Sequence, residues 1–308
     1  MNEQNLNKTN INWYPGHMAK TMKQVEADLK LIDIVIEILD ARIPISSQNP
    51  EIQKLVKNKK KVIVLNKCDL ADEKENKNWV KYFEEVNIPV ILCNSNNGDG
   101  VNKTISKINE IMQEEREIAK QKGRNKIARA MIIGVPNVGK SSFINRVSNK
   151  SAMQVGNKPG VTKNKQWIRL SNNIELLDTP GVLWPRIEKQ ETALNLAYTG
   201  TIKSDILDEI EVAYNLIKYL MSEYRENVIE RYKLNSDILD RIFNNSDIED
   251  NEKIVEIMNY IGEKRGAIAR GNNVDLDKTS RIILEDFRSG NLGRITLETV
   301  TLKDWMEE

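Results

Sequence analysis

Eight residues constrain this chain more than any others: Gly134-Val135-Pro136-Asn137-Val138-Gly139-Lys140-Ser141. They fit the pattern G-x-x-x-x-G-K-[ST]. The apolar run Ala130–Ile133 precedes them as a strand, and Ser141–Val147 continues as a helix. A glycine-rich turn between a strand and a helix lets backbone amides wrap an anion at the helix start. The amides of Val138, Gly139, Lys140, Ser141 and Ser142 are the candidate cradle. Lys140 is placed to reach the terminal phosphates of a nucleotide, and the Ser141 hydroxyl to ligand Mg²⁺.

Two further segments complete a nucleotide site. Asp178-Thr179-Pro180-Gly181 follows the apolar run Ile174–Leu177. Asp178 suits the Mg²⁺ shell, and the Gly181 amide suits a γ-phosphate, as in a sensor loop that rearranges on hydrolysis. Thr162, in Pro159-Gly160-Val161-Thr162, lies between these elements, and its hydroxyl is a third candidate for the same ion; it also reads as an ordinary turn threonine. Asn66-Lys67-Cys68-Asp69 follows the strand Lys61–Leu65. The Asp69 carboxylate can accept both the N1 and N2 hydrogens of guanine, with Asn66 supporting the loop. Adenine offers no such donor pair and would leave the carboxylate poorly satisfied. The expected ligands are therefore GTP and GDP with Mg²⁺.

Further strands are expected at Lys30–Leu39, Ile88–Leu92 and Trp167–Leu170. Helices are expected at Pro50–Asn58 and Glu75–Val86, with one long amphipathic helix over Val101–Lys120. Strands alternating with helices imply an α/β fold with a mostly parallel sheet. From Glu188 to about Leu292 the periodicity is helical, with almost no strand signal. Residues 1–184 thus read as the nucleotide domain and residues 185–308 as a helical domain. Gly293–Leu302 alternates and reads as a short strand or extended tail.

The net charge of +1 hides an asymmetry. Residues 1–200 carry 31 Lys+Arg against 22 Asp+Glu, and residues 201–308 carry 15 against 23. Residues 118–174 hold 12 basic residues and no acid. Such a stretch attracts phosphate, or is a solvated face whose acids lie elsewhere in the fold. In the helical domain Lys264, Arg265, Arg270, Arg281, Arg288 and Arg294 are either a local basic patch or scattered charges in local pairs. Two cysteines and one histidine exclude a disulfide framework and an ordinary Cys/His zinc site. No run of 18 apolar residues is present, and Met1–Asn12 is polar, so neither a membrane span nor a secretory signal is expected. The expected setting is cytoplasmic.

The order of the elements is rotated: Asn66–Asp69 precedes Gly134–Ser141, whereas a familiar small GTPase has the phosphate loop first. Cutting a surface loop and joining termini elsewhere need not disturb a core. This order resembles the circularly permuted GTPase family, and specifically its ribosome-biogenesis branch. Trp13-Tyr14-Pro15-Gly16-His17-Met18-Ala19-Lys20, Asp40-Ala41-Arg42-Ile43-Pro44 and Asp286–Gly293 carry the likeness beyond the nucleotide motifs, over roughly residues 10–300.

The resemblance implies a circularly permuted P-loop GTPase domain followed by an α-helical ribosome-binding domain. It implies an enzyme that hydrolyses GTP and acts late in assembly of the large (50S) ribosomal subunit, with rRNA and ribosomal proteins as partners. The chain is expected to act as a monomer with no membrane partner. Asn94-Ser95-Asn96 takes the position of the family's second guanine loop but departs from its common form, so backbone contacts are expected there. After Gly181 stands Val182, then Leu183 and Trp184. Val182 cannot orient water by a hydrogen bond. The resemblance points to His17 as the catalytic group, accepting a hydrogen bond from the attacking water. From the residues alone, His17 reads rather as an N-terminal packing residue or a donor to rRNA phosphate than as a catalytic group. Asn137 matches a loop position that helps hold K⁺ in the family, where a monovalent cation would offset developing charge.

Overall fold

The computed structural model describes residues 16–150, 167–170, 173–202, 208–271 and 273–300. They divide into two compact units. The first holds the residues up to Glu188 together with Thr296 onward, and the second is Lys189–Ile295.

The first unit is built on a six-stranded sheet of order β3-β2-β1-β4-β6-β5. β1 (Ile34–Asp40) is central, with β2 (Lys60–Asn66) and β3 (Val90–Cys93) on one side. β4 (Ala128–Ile133), β6 (Ile174–Asp178) and the edge strand β5 (Trp167–Leu170) lie on the other. All pairings are parallel except β5 with β6. Every residue of β1 is buried, as are five of the seven in β2. A sheet buried on both faces needs near-continuous apolar runs, which is why these segments do not alternate.

The helices of this unit are α1 (Gly16–Leu29), α2 (Pro50–Val56), α3 (Glu73–Glu85), α4 (Val101–Ile111), α5 (Gln113–Gln121) and α6 (Lys140–Lys150). Asn49 caps α2, with Pro50 at a position that needs no amide hydrogen, and Asp72 caps α3. The single helix expected over residues 101–120 is two helices. Met112 (φ −96°, ψ 2°) separates them. It is fully buried, as are Val101, Thr104, Ile105 and Ile108 of α4, whereas α5 buries no residue. The break keeps Met112 in the core while the polar turns beyond it leave.

The second unit consists of α7 (Gln190–Tyr198), α8 (Glu209–Glu223), α9 (Arg225–Tyr232), α10 (Ser236–Asn244), α11 (Asp250–Arg265) and α12 (Leu276–Ser289). Asp208, Asn235 and Asp275 cap α8, α10 and α12, and Glu249 with Glu252 forms a capping box on α11. Leu216, Ile217, Leu220, Val228, Ile257, Ile261, Ile283 and Phe287 form its apolar interior. Its only β pairing among the described residues is the isolated bridge Ile268–Val274.

The tail departs from the expected division at residue 185. Thr296–Val300 belongs to the first unit, not to the helical one. Its backbone and side chains find their partners there. Leu297 N donates to Arg42 O at 2.9 Å, and Trp79 Nε1 donates to Glu298 O at 2.8 Å.

Candidate functional site

Five segments of parallel sheet end on one edge. The C-terminal ends of β1, β2, β3, β4 and β6 deliver Asp40, Asn66, Asn94, Gly134 and Asp178 to the same side. In open α/β sheets that edge is where ligands bind.

The phosphate loop runs from β4 into α6. Gly134 has φ 152°, and a Cβ there would stand 2.4 Å from Ile38 O. No other residue fits that approach. Gly139 has φ 99°, and its missing Cβ leaves room for Asn66 Nδ2. Asn137, exposed at the loop's tip, also takes a left-handed conformation, φ 62°. Lys140 is 8 % exposed, and its ammonium donates to Gly134 O at 2.9 Å and Val135 O at 2.8 Å. Burial lowers its pKa to about 8, with the Asp178 carboxylate opposing the shift. A buried ammonium hydrogen-bonded to two neutral carbonyls is a ready partner for phosphate. Ser141 is exposed and Ser142 half-buried at the start of α6, and the Val138 side chain is buried beneath the loop.

The sensor loop leaves β6 at Asp178. Burial raises its carboxyl above the usual range, and Lys140 pulls it back. Thr179 Oγ1 donates to Ile132 O at 2.6 Å, fastening the loop to β4. A Cβ on Gly181 would meet Lys140 Nζ at 2.8 Å and Pro136 Cα at 2.9 Å. Gly181 therefore presses directly on the phosphate loop and its lysine. Val182, Leu183 and Trp184 are all buried. Val182 O accepts from Asn49 Nδ2 at 2.9 Å, so the cap residue of α2 also holds the sensor loop.

The base-reading loops meet at Asn66. Its Nδ2 donates to Val138 O at 2.7 Å, in the phosphate loop. Its Oδ1 accepts from Ser95 N at 3.0 Å and Ser95 Oγ at 2.8 Å. One buried amide thus ties together three of the expected nucleotide loops. Asn94 Oδ1 accepts from the amides of Asn96 and Asn97, which shapes that loop. Arg146 of α6 donates to Asn96 O. Lys67 (φ 59°) pairs with Asp40 at 2.9 Å, and Asp69 is exposed, with its carboxylate open to a ligand's edge.

Of the expected site residues, Thr162 lies outside the described residues, as does the side chain of His17, whose backbone is in the first turn of α1. The others converge as described. Sequence reasoning missed Asn49, Thr179 and Arg146 as parts of the site, and gave Asp40 and Arg42 no role. Asn49-Pro50 is a helix-start signal that could have flagged the first; nothing local marks Arg146. The basic stretch 118–174 is partly neutralised by acids from outside it or next to it. Lys126 pairs with Asp33 and Glu115, and Arg129 and Arg169 share Glu175. Four of the six basic residues of the helical unit have partners within that unit. Arg265 pairs with Asp286, Arg281 with Glu209, and Arg288 donates to the carbonyls of Ala197 and Tyr198 at the end of α7. Lys264 lies over the Tyr260 ring.

The site fits a nucleotide polyphosphate with a divalent cation. It offers a poised ammonium, a cradle closed to any Cβ, a hydroxyl and a carboxylate. Among the described residues no three His, Cys, Asp or Glu side chains gather to hold a metal by themselves. Ser141 and Asp178 would instead hold Mg²⁺ jointly with phosphate oxygens, as phosphate-loop enzymes require.

Comparison with known proteins agrees with this geometry. A family model described as 50S ribosome-binding GTPase matches residues 129–260, and one described as RsgA GTPase matches residues 52–187. Ribosome biogenesis GTPase A of Bacillus cereus is 42% identical over 290 residues, covering 94% of each chain. The protein of that name from Thermotoga maritima is 28% identical and also covers 94% of each. Mitochondrial ribosome-associated GTPase 1 of Bos taurus is 33% identical, over 93% of this chain and 88% of its own. The crystal structure of GNP-bound YlqF from T. maritima shares the fold, with a TM-score of 0.61 at 24% identity over 91% of this chain and 98% of that one. The rotated order of the motifs, the loops gathered at one sheet edge and these likenesses agree: the chain belongs to the circularly permuted GTPases, in the family of ribosome biogenesis GTPase A.

Proposed function

We propose that this GTPase is a switch that binds the maturing large (50S) ribosomal subunit, hydrolyses GTP in response, and thereby promotes a late assembly step. The observation that carries the stimulated half of this reading is Val182. It follows the sensor glycine directly, is 1 % exposed, and is held by its carbonyl to Asn49. Val182 has no polar side chain to orient water, so turnover is expected to be slow until a partner completes the site. By family resemblance His17 is that group, presented when the N-terminal segment meets the particle. The names of the relatives support the ribosomal setting.

In the GTP state Ser141, Thr162 and Asp178 would hold Mg²⁺, and Asn137 would help hold K⁺. Bound cations there would offset charge on the phosphate oxygens as the terminal bond breaks. Lys140 would exchange its two carbonyl partners for phosphate. Gly181, already against Lys140, would report the γ-phosphate through its amide, and its shift would pass along Val182 to Trp184.

GTP turnover measured with and without purified 50S subunits in K⁺ buffer tests this reading. Several-fold stimulation over matched 30S subunits and bulk RNA supports it. Tight GTP binding with no stimulation by mature or immature large particles refutes it. The His17→Ala variant should lose stimulated turnover and keep GTP affinity; unchanged stimulated turnover removes His17 from the mechanism.

A further inference from the structure

We propose that Asp40 and Arg42 are positioning residues for guanine recognition, fastened by a strap formed by Thr296–Glu298, so that base selectivity depends on residues that follow the helical unit. The inference rests on guanine nucleotide binding at Asn66–Asp69 and not on the ribosomal reading.

Lys67 stands between Asn66 and Asp69 with φ 59°, a conformation that a residue with a Cβ holds only when its surroundings fix it. Asp40 Oδ2 accepts from Lys67 Nζ at 2.9 Å and from Arg42 Nη2 at 2.9 Å. Oδ1 accepts from Arg42 N at 3.1 Å and Nε at 3.0 Å. The Asp40 and Arg42 side chains are each 1 % exposed. Burial alone would push the Asp40 carboxyl up; the two cations overcome this and hold it far below its usual value. Asp40 is therefore held as a carboxylate at the end of β1. Ala41 N also donates to Asn66 O at 2.8 Å, joining the backbones of the two segments. Together these contacts set the path from Asn66 to Asp69, and with it the direction of the Asp69 carboxylate.

The strap closes on both flanks of this cluster. Leu297 N donates to the carbonyl of Arg42 itself. The Glu298 carboxylate accepts from Ile45 N at 2.7 Å, from Ser46 N at 2.9 Å and from Ser46 Oγ. On the other flank, Asp72 N donates to Thr296 Oγ1 at 2.9 Å, and Trp79 Nε1 donates to Glu298 O. Asp72 lies three residues after Asp69, so the strap grips the chain at and just after the cluster and again just after the base-reading loop.

The test uses the full chain and a fluorescent GDP displaced by either GDP or IDP. The hypoxanthine base of IDP lacks the 2-amino group, so the ratio of the two affinities reads the Asp69 contact. Asp40→Asn should narrow that ratio about tenfold and Glu298→Ala about threefold, as a loosened hydrogen-bonding site discriminates less. A merely structural loss would lower the fraction of binding-competent protein and leave the ratio unchanged. An unchanged ratio in Glu298→Ala overturns the strap's role, and an unchanged ratio in folded Asp40→Asn overturns that of the cluster. If Asp40→Asn does not fold, Glu298→Ala, on the surface of the first unit, decides the proposal by itself. Wild-type protein that binds neither nucleotide would be a different failure, that of the guanine assignment.

Discussion

Both units bury charge, and they use it differently. In the nucleotide unit two buried groups stand beside the loops at one sheet edge: Asp40 with Arg42 and Lys67 at the end of β1, and Lys140 near Asp178 at the start of α6. In the helical unit the buried carboxylate is Asp286 of α12, which takes Arg231 of α9, Arg265 of α11 and Asn291. The first arrangement lies at a ligand edge, and among the described residues the hydrogen-bond partners of one member, Lys140, are two carbonyls. The second is satisfied by cations from two other helices and locks three helices together. A buried ammonium on neutral carbonyls beside a glycine cradle marks a place for an anion; a carboxylate shared by arginines of two other helices marks architecture.

Lys140→Ala should test the first half of that contrast most severely. Losing a buried cation that binds phosphate should weaken GTP and GDP about 100-fold, or ~3 kcal/mol, in equilibrium binding. Retained affinity would mean that the ammonium is structural. Next, Asp286→Ala should cost about 2–3 kcal/mol of stability in denaturant unfolding, by leaving two arginines without their shared anion. It should leave GDP affinity unchanged. If GDP affinity falls with it, the two kinds of charge are not separable.

pH sharpens the comparison further. The Lys140 pKa is lowered to about 8. Above that value the unliganded protein has lost the proton, while a phosphate partner would restore it. Nucleotide binding should therefore take up a proton, and Kd should rise by up to tenfold per pH unit above about pH 8. Calorimetry in buffers of different ionisation heat would detect the uptake, and a flat Kd from pH 7 to 9.5 would count against it. For folding the sign is the reverse: the native form binds fewer protons than the unfolded chain, so this group adds stability as pH rises from about 8 towards 10.5. Asp286 shifts stability in the same direction, in a lower pH range. Burial opposes ionisation, but Arg231, Asn291 and Arg265 hold its carboxyl below the usual value. Its contribution is present above the ordinary carboxylate pKa and is lost as pH falls through the depressed one, so acid unfolding of Asp286→Asn should lack that component. The smallest effect belongs to Trp79→Phe. It keeps the ring packing against Tyr82 and Phe83 but loses the bond to Glu298 O, about 1 kcal/mol.

The nucleotide loops were legible because each needs specific residue types at fixed spacing. Gly134 cannot be replaced where Ile38 O approaches, and Lys140 and Ser141 follow it at set distances. The strands were legible because β1 and β2 carry near-continuous apolar runs. What the sequence concealed is non-local. Asn66 bridging Val138 and Ser95 requires knowing which loops end side by side. Asn49 holding Val182 spans 133 residues, and no periodicity encodes it. The break at Met112 was hidden because the amphipathic pattern runs on in register across it. The tail was misplaced for a similar reason: alternation in Gly293–Leu302 predicts extended chain but not the surface it lies on. Whether the arginines of the helical unit form a patch or local pairs stayed open, because a list of positions does not show which carbonyl or carboxylate each one meets.

The sheet order also sets a sequence of events as the polypeptide is made. β1, β2 and β3 are adjacent both in the chain and in the sheet, so the base-reading half has its neighbours early. The other edge of β1, Ile34–Glu37, pairs with Ala130–Ile133 and must wait for nearly a hundred residues to emerge. An unpaired apolar edge held open that long is a template for wrong pairing. Stranger still, Trp79 and Ser46 receive their last partners from residues 219 and 252 positions downstream. The half that emerges first is thus the half finished last, and a nascent chain arrested before residue 296 would carry a nucleotide pocket with its clasp still undone.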